Sequence, residues 1–153
     1  YWSDDITLEE AVISKINETF AIYDGVTNGA LYTRLKNVDQ NNVLNGLLPH
    51  NGLFIDTTDS IHDQLFNAAQ YVKDLYQTDL GIVLLHENED VYLAMYDGEV
   101  LNVDTFKMTQ SRNLLRSRSQ NYAMIILLKW FENRWLFFYC FKNKYVCSIL
   151  YHL

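Results

Sequence analysis

Apolar residues recur along this chain at two spacings, and each spacing predicts its own kind of element. Leu8, Val12 and Ile16 recur at helical intervals behind the capping-box spacing of Thr7-Leu-Glu-Glu10, which predicts a first helix from about Thr7 to Asn17. Thr19-Phe-Ala-Ile-Tyr23 is a short apolar run ending at Asp24-Gly25, the pattern of a buried strand leaving through a tight turn. Thr27 is placed to cap a second helix carrying Ala30, Leu31, Arg34 and Leu35. Val43-Leu44 and Gly46-Leu47-Leu48 predict a second strand, and Ser60 caps a third helix running to about Gln77. Leu65, Ala68, Ala69, Val72 and Leu75 give that helix one apolar face.

Leu80-Gly-Ile-Val-Leu-Leu85 predicts a third buried strand, and Val91–Tyr96 pairs with Val100–Phe106 as a hairpin across Asp97-Gly98. A fourth helix starts at about Thr109, and its segment Ala123-Met-Ile-Ile-Leu-Leu128 is apolar on nearly every side, so it belongs against the sheet. A leading helix, two βα units, a hairpin and a closing helix imply an α/β fold: a three-layer α/β/α sandwich with a mixed sheet of about five strands. From Trp135 the character changes to an aromatic-rich run broken by Lys142 and Lys144. Residues 135–153 are therefore set apart from the domain at 6–134, either as a hairpin over an open sheet edge or as a non-native extension. That run is too short and too interrupted to span a bilayer, which needs about 20 apolar residues.

The 153 residues suit one core. A net charge of −7 disfavours a nucleic-acid groove, since phosphate backbones need a surplus of Lys and Arg on one face. Two cysteines, Cys140 and Cys147, lie in one C-terminal stretch and cannot staple the domain, so a reduced, cytoplasmic setting is expected. The chain opens at Tyr1 rather than Met, which leads to the expectation of a fragment of a longer protein.

The chemistry concentrates at the first strand-to-helix corner. A strand that stops at a sharp turn before a helix puts the turn at the carboxyl edge of the sheet, where free N–H groups can meet an anion or oxyanion. The segment Ala21-Ile-Tyr-Asp24-Gly25-Val-Thr27-Asn28-Gly29, continuing to Arg34-Leu35, is similar to the signature of the C-terminal domain of the CinA (competence/damage-inducible) family, Ala-x-x-Glu-Ser-x-Thr-Gly-Gly followed by Arg-Leu. Asp79-Leu-Gly-Ile-Val-Leu84 resembles that family's Asp-Leu-Gly-Leu-Ala-Val strand, and Arg112-Asn-Leu-Leu-Arg116-Ser-Arg118 resembles its Arg-x-x-x-Arg-x-Arg run. The resemblance covers roughly Asp5 to Phe131, with residues 1–5 as the end of a linker from preceding domains.

What the resemblance implies is an amidohydrolase that deamidates nicotinamide mononucleotide through the corner serine. Here that position is Gly25, and the preceding Glu is Asp24. The family's Thr-Gly at the end of the Asp-Leu-Gly strand is Leu85-His86, and its Tyr with a Lys five residues later corresponds to His50 with Ile55. Loss of a nucleophile alone removes most of the rate of a catalytic unit, so an inactive copy is expected. The alternatives are an active enzyme using Thr27, for which no adjacent base is evident, and a non-catalytic nucleotide-binding or interaction module.

Thr27, Asn28, Gly29, Arg112 and Arg116 are the candidate ligand-binding residues, with a pyridine mononucleotide as the candidate ligand. Arg112 and Arg116 stand at i, i+4 early in a helix, where the dipole disfavours cations; a bound phosphate would account for them, and so would pairing with surface carboxylates. Asp24 can simply form an Asx-turn or cap the next helix. His50, His62, His86 and His152 show no metal-ligand spacing, and no metal or cofactor is expected. Neither nucleic acid nor membrane is expected as a partner; a homo-oligomer is.

Overall fold

A computed structural model of the chain describes residues 6–108 and 112–142. Helix α1 spans Leu8–Ser14, and its cap is the anticipated one: the Thr7 hydroxyl accepts from the Glu10 amide at 3.2 Å. Strand β1 (Phe20–Asp24) is buried along its whole length, as an apolar run at the centre of a parallel sheet should be. Helix α2 covers Ala30–Lys36, strand β2 Leu44–Pro49, helix α3 Ile61–Tyr76 and strand β3 Leu80–Glu87. Strands β4 (Asp90–Tyr96) and β5 (Leu101–Lys107) precede helix α4 (Arg112–Lys142).

The strands form one five-stranded sheet in the order β2-β1-β3-β4-β5. β1 runs parallel to both neighbours, and β3, β4 and β5 continue as an antiparallel meander. Side chains alternate between faces, so the two faces carry separate cores. One holds Phe20, Ile22, Leu80, Ile82 and Leu93 against Val12 of α1, Leu31 and Leu35 of α2, and Met124, Leu127 and Phe131 of α4. The other holds Ala21, Tyr23, Val83 and Ala94 against Leu65, Ala68, Ala69 and Val72 of α3. This is the three-layer α/β/α sandwich with a mixed five-stranded sheet that the pattern predicted.

Two sequence expectations are corrected, and one element is added. α2 begins at Ala30 with Gly29 as its N-cap, not at Thr27, because Asn28 (φ 57°) and Gly29 (φ 88°) are both left-handed and cannot continue a right-handed helix. α4 runs on through Trp135 to Lys142, so residues 135–142 are helix and not part of a hairpin. The rest of that proposed tail, 143–153, and the start of the fourth helix at Thr109 lie outside the described residues. A second hairpin, β3 to β4 through left-handed Asn88, was not foreseen. Among the described residues no helix is long and apolar enough to cross a membrane.

Arg134 of α4 fastens the amino end of β1 to the β4–β5 turn. It meets Glu18 through two bonds, at 2.6 and 2.7 Å, and Asp97 at 2.9 Å. Burial works against the Asp97 charge, but the Val100 and Glu99 amides and the Arg134 guanidinium outweigh it and hold that carboxyl below its ordinary 3.8. A lowered folded pKa adds stability above the unfolded value and loses it as pH falls through the folded one. Arg134→Ala is therefore expected to cost about 1–2 kcal/mol at pH 7, the pair being partly exposed. Urea unfolding should show that difference shrinking once the pH is below the ordinary carboxylate range; a difference that is the same at pH 7 and pH 3 would exclude the ion pair as its source.

Candidate functional site

The three parallel strands β2, β1 and β3 end at the same edge of the sheet. Their chain connections leave on opposite faces, α2 on one and α3 on the other, so the edge beside β1 is a topological switch point, where α/β sheets open a crevice. Each strand delivers a residue to it: Asp24 and Gly25 from β1, His50 just after β2, and His86 near the end of β3. Val26 and Asn28 of the corner form one wall, and Leu115 and Arg116 of α4 form another, enclosing a cleft of about 580 Å³. A cleft of this size lies within the range of small-molecule sites.

The corner itself is organised around Asp24, which is fully buried. Its Oδ1 accepts from the amides of Val26 at 2.9 Å and Thr27 at 2.7 Å; its Oδ2 accepts from the Gly29 amide at 2.9 Å and from the Thr27 hydroxyl. That is an Asx-turn extended by two further donors. The Gly25 amide donates to the Leu84 carbonyl at 2.8 Å, Ala30 to Thr27 O, and Leu31 to the Thr27 hydroxyl at 3.2 Å. Of the amides from residue 25 to 31, Asn28 is then the one left to a ligand, among the described residues. The expectation of a row of free N–H groups is corrected: the protein's own carboxylate occupies them.

Thr27 is 2% exposed, with its hydroxyl held between Asp24 and the Leu31 amide. It is a structural member of the corner and does not line the cleft. Gly29 supports the same turn from the N-cap position. A Cβ on Gly25 would stand 2.9 Å from the Leu84 carbonyl oxygen and 3.2 Å from the Leu85 side chain, so the backbone has closed around a residue without a side chain. Tyr23, next along β1, lies beneath the corner and donates to the His50 carbonyl at 3.2 Å. Burial, and secondarily the Asp24 charge, pushes its hydroxyl above its ordinary 10.0.

The structure thus brings Asp24, Gly25, Asn28 and Arg116 of the anticipated set to one cleft and leaves Thr27 behind it. Arg116 is exposed and has no carboxylate partner among the described residues, so surface pairing does not account for its place. Arg112 is the first residue of α4, and its side chain lies outside what is described. His50 and His86, without metal-ligand spacing but aligned by the resemblance with motif positions, both reach the cleft: His50 lies just after β2 and His86 near the end of β3, the two strands parallel to β1. No group of three or more His, Cys, Asp or Glu among the described residues could hold a metal ion.

Neither a protein-family model nor a curated protein matches the chain in sequence. Solved structures do match its fold. A competence-damaged protein (CinA) superfamily protein from Enterobacter cloacae superposes with a TM-score of 0.68 at 14% identity, covering 86% of this chain and 96% of that one. The competence/damage-inducible protein CihA from Agrobacterium tumefaciens gives 0.60 at 12% identity, over 81% and 93% of the two chains. A CinA superfamily protein from Escherichia coli gives 0.59 at 12% identity, over 84% and 92%. The fold is CinA-like.

Proposed function

We propose that this chain is a CinA-like domain whose cleft at the carboxyl ends of β1, β2 and β3 binds a pyridine mononucleotide without cleaving its amide. One observation carries the reading: the cleft presents Arg116, His50, His86 and the Asn28 amide toward an anion, while among the described residues its lining holds no hydroxyl or thiol nucleophile. Arg116 is a natural partner for a phosphate, which it can grip through two parallel bonds. Gly25 has nothing with which to attack a carbonyl. The burial of Thr27, and the use of its hydroxyl by Asp24 and Leu31, argue against it as a substitute.

Calorimetry with nicotinamide mononucleotide, paired with an ammonia assay, tests both halves. The expected result is saturable binding that weakens roughly tenfold or more in Arg116→Ala, since a hydrogen bond to a charged group is worth about 1.5–3 kcal/mol. Ammonia should not rise above the protein-free control. Absence of binding would instead point to an interaction module without this ligand, and steady ammonia release would restore an active amidohydrolase.

A further inference from the structure

The polar cleft does not stop at Gly25. A second hollow of about 480 Å³ opens beyond it and shares Gly25, His50 and His86 with the first. Its walls are more apolar: Leu53, Phe54, Ile55 and Leu85 stand there beside the polar Asn51, Thr57 and Gln64. Phe54 is 88% exposed, so its ring does almost nothing for the core and the fold gives no account of it. Leu53 and Ile55 on either side are half-buried against the α3 face of the sheet, which fixes the backbone from which the ring projects. The two hollows form one bipartite site: cationic and amide donors at the α4 end, an apolar arm with a free aromatic face at the other, and two histidines between.

Resting on the reading above, we propose that the apolar arm takes the planar ring of the anionic ligand and that Phe54 is the residue on which this ring stacks. The continuity of the two hollows is what commits the arm to part of the same ligand. A molecule whose phosphate meets Arg116 can extend past Gly25, and the surface awaiting it there is mostly apolar and carries the exposed Phe54 ring. Stacking on an aromatic side chain suits any planar heterocycle, because each has a π-face to offer. Phe54 would then set affinity for the ring-bearing ligand and leave recognition of the anion unchanged.

The test compares two probes that share a phosphorylated ribose and differ in the ring: nicotinamide mononucleotide and ribose 5-phosphate. Phe54→Ala is expected to weaken the mononucleotide about tenfold and to leave ribose 5-phosphate unaltered, with Phe54→Trp restoring the difference. Arg116→Ala should weaken both. Because Phe54 is exposed, its variants should fold as the parent does, which circular dichroism checks. If the parent binds the mononucleotide and Phe54→Ala binds it equally well, or loses both probes alike, the ring assignment is overturned while the anion site stands. If the parent binds neither probe, the reading on which the assignment rests fails with it.

Discussion

Asp24→Ala is expected to cost this domain about 3–5 kcal/mol, the largest loss available from a single side chain near the cleft. The carboxylate is fully buried and accepts from four donors: the amides of Val26, Thr27 and Gly29 and the Thr27 hydroxyl. Removing it leaves those donors facing a cavity without partners, and each unsatisfied buried donor costs about 1–3 kcal/mol, moderated where water enters from the cleft. Asp24→Asn should fall between, at about 2 kcal/mol, since its oxygen still accepts from two amides while its NH2 is turned on a Gly29 amide that is itself a donor. Urea unfolding is the measurement, with a lowered midpoint and an unchanged slope. A loss below about 1 kcal/mol in Asp24→Ala would mean that the corner is held by something other than this carboxylate.

The framework of this molecule was legible wherever a local cause produced it. Thr7 and Ser60 cap their helices as their positions suggested, and the run Phe20–Asp24 is buried because a central parallel strand has no solvent face. The corner and the Asx-turn of Asp24 follow from the sequence; how many of the corner amides that carboxylate takes does not. Asn28-Gly29 is a turn signal that outweighed Thr27 as a cap, and whether Asp24 or a ligand would take the corner amides depends on a few tenths of an ångström that no spacing encodes. The β3–β4 hairpin escaped notice because Asn88-Glu89 lacks the glycine that usually marks such turns. Phe54 is illegible for another reason, and His50 and His86 are legible at the site only through the family resemblance: the three meet because β1, β2 and β3 run parallel and end together, a long-range alignment with no sequence period.

Gly25→Ser, the change that would return a hydroxyl to the position the family resemblance assigns to its nucleophile, is expected to destabilise the domain by about 1–3 kcal/mol and to release no ammonia from nicotinamide mononucleotide. The obstacle is space and not backbone conformation, because Gly25 is not among the glycines with positive φ. Its Cβ would lie 2.9 Å from the Leu84 carbonyl oxygen, the same atom that accepts from the Gly25 amide at 2.8 Å, so the clash cannot be relieved without stretching that hydrogen bond. Leu85 at 3.2 Å closes a second direction, although its side chain can turn aside. The smaller entropy of the unfolded chain offsets part of the cost, about 0.4–1 kcal/mol. Gly25→Ala should lose nearly as much as Gly25→Ser, which identifies the Cβ and not the hydroxyl as the cause. Even a serine accommodated there would attack beside a corner whose amides, Asn28 apart, are already bound to Asp24, Leu84 and Thr27, so an oxyanion would find one donor where acyl transfer calls for a prepared set. A Gly25→Ser protein as stable as its parent and turning over the nucleotide would show instead that the corner relaxes easily and that a single substitution separates this chain from catalysis.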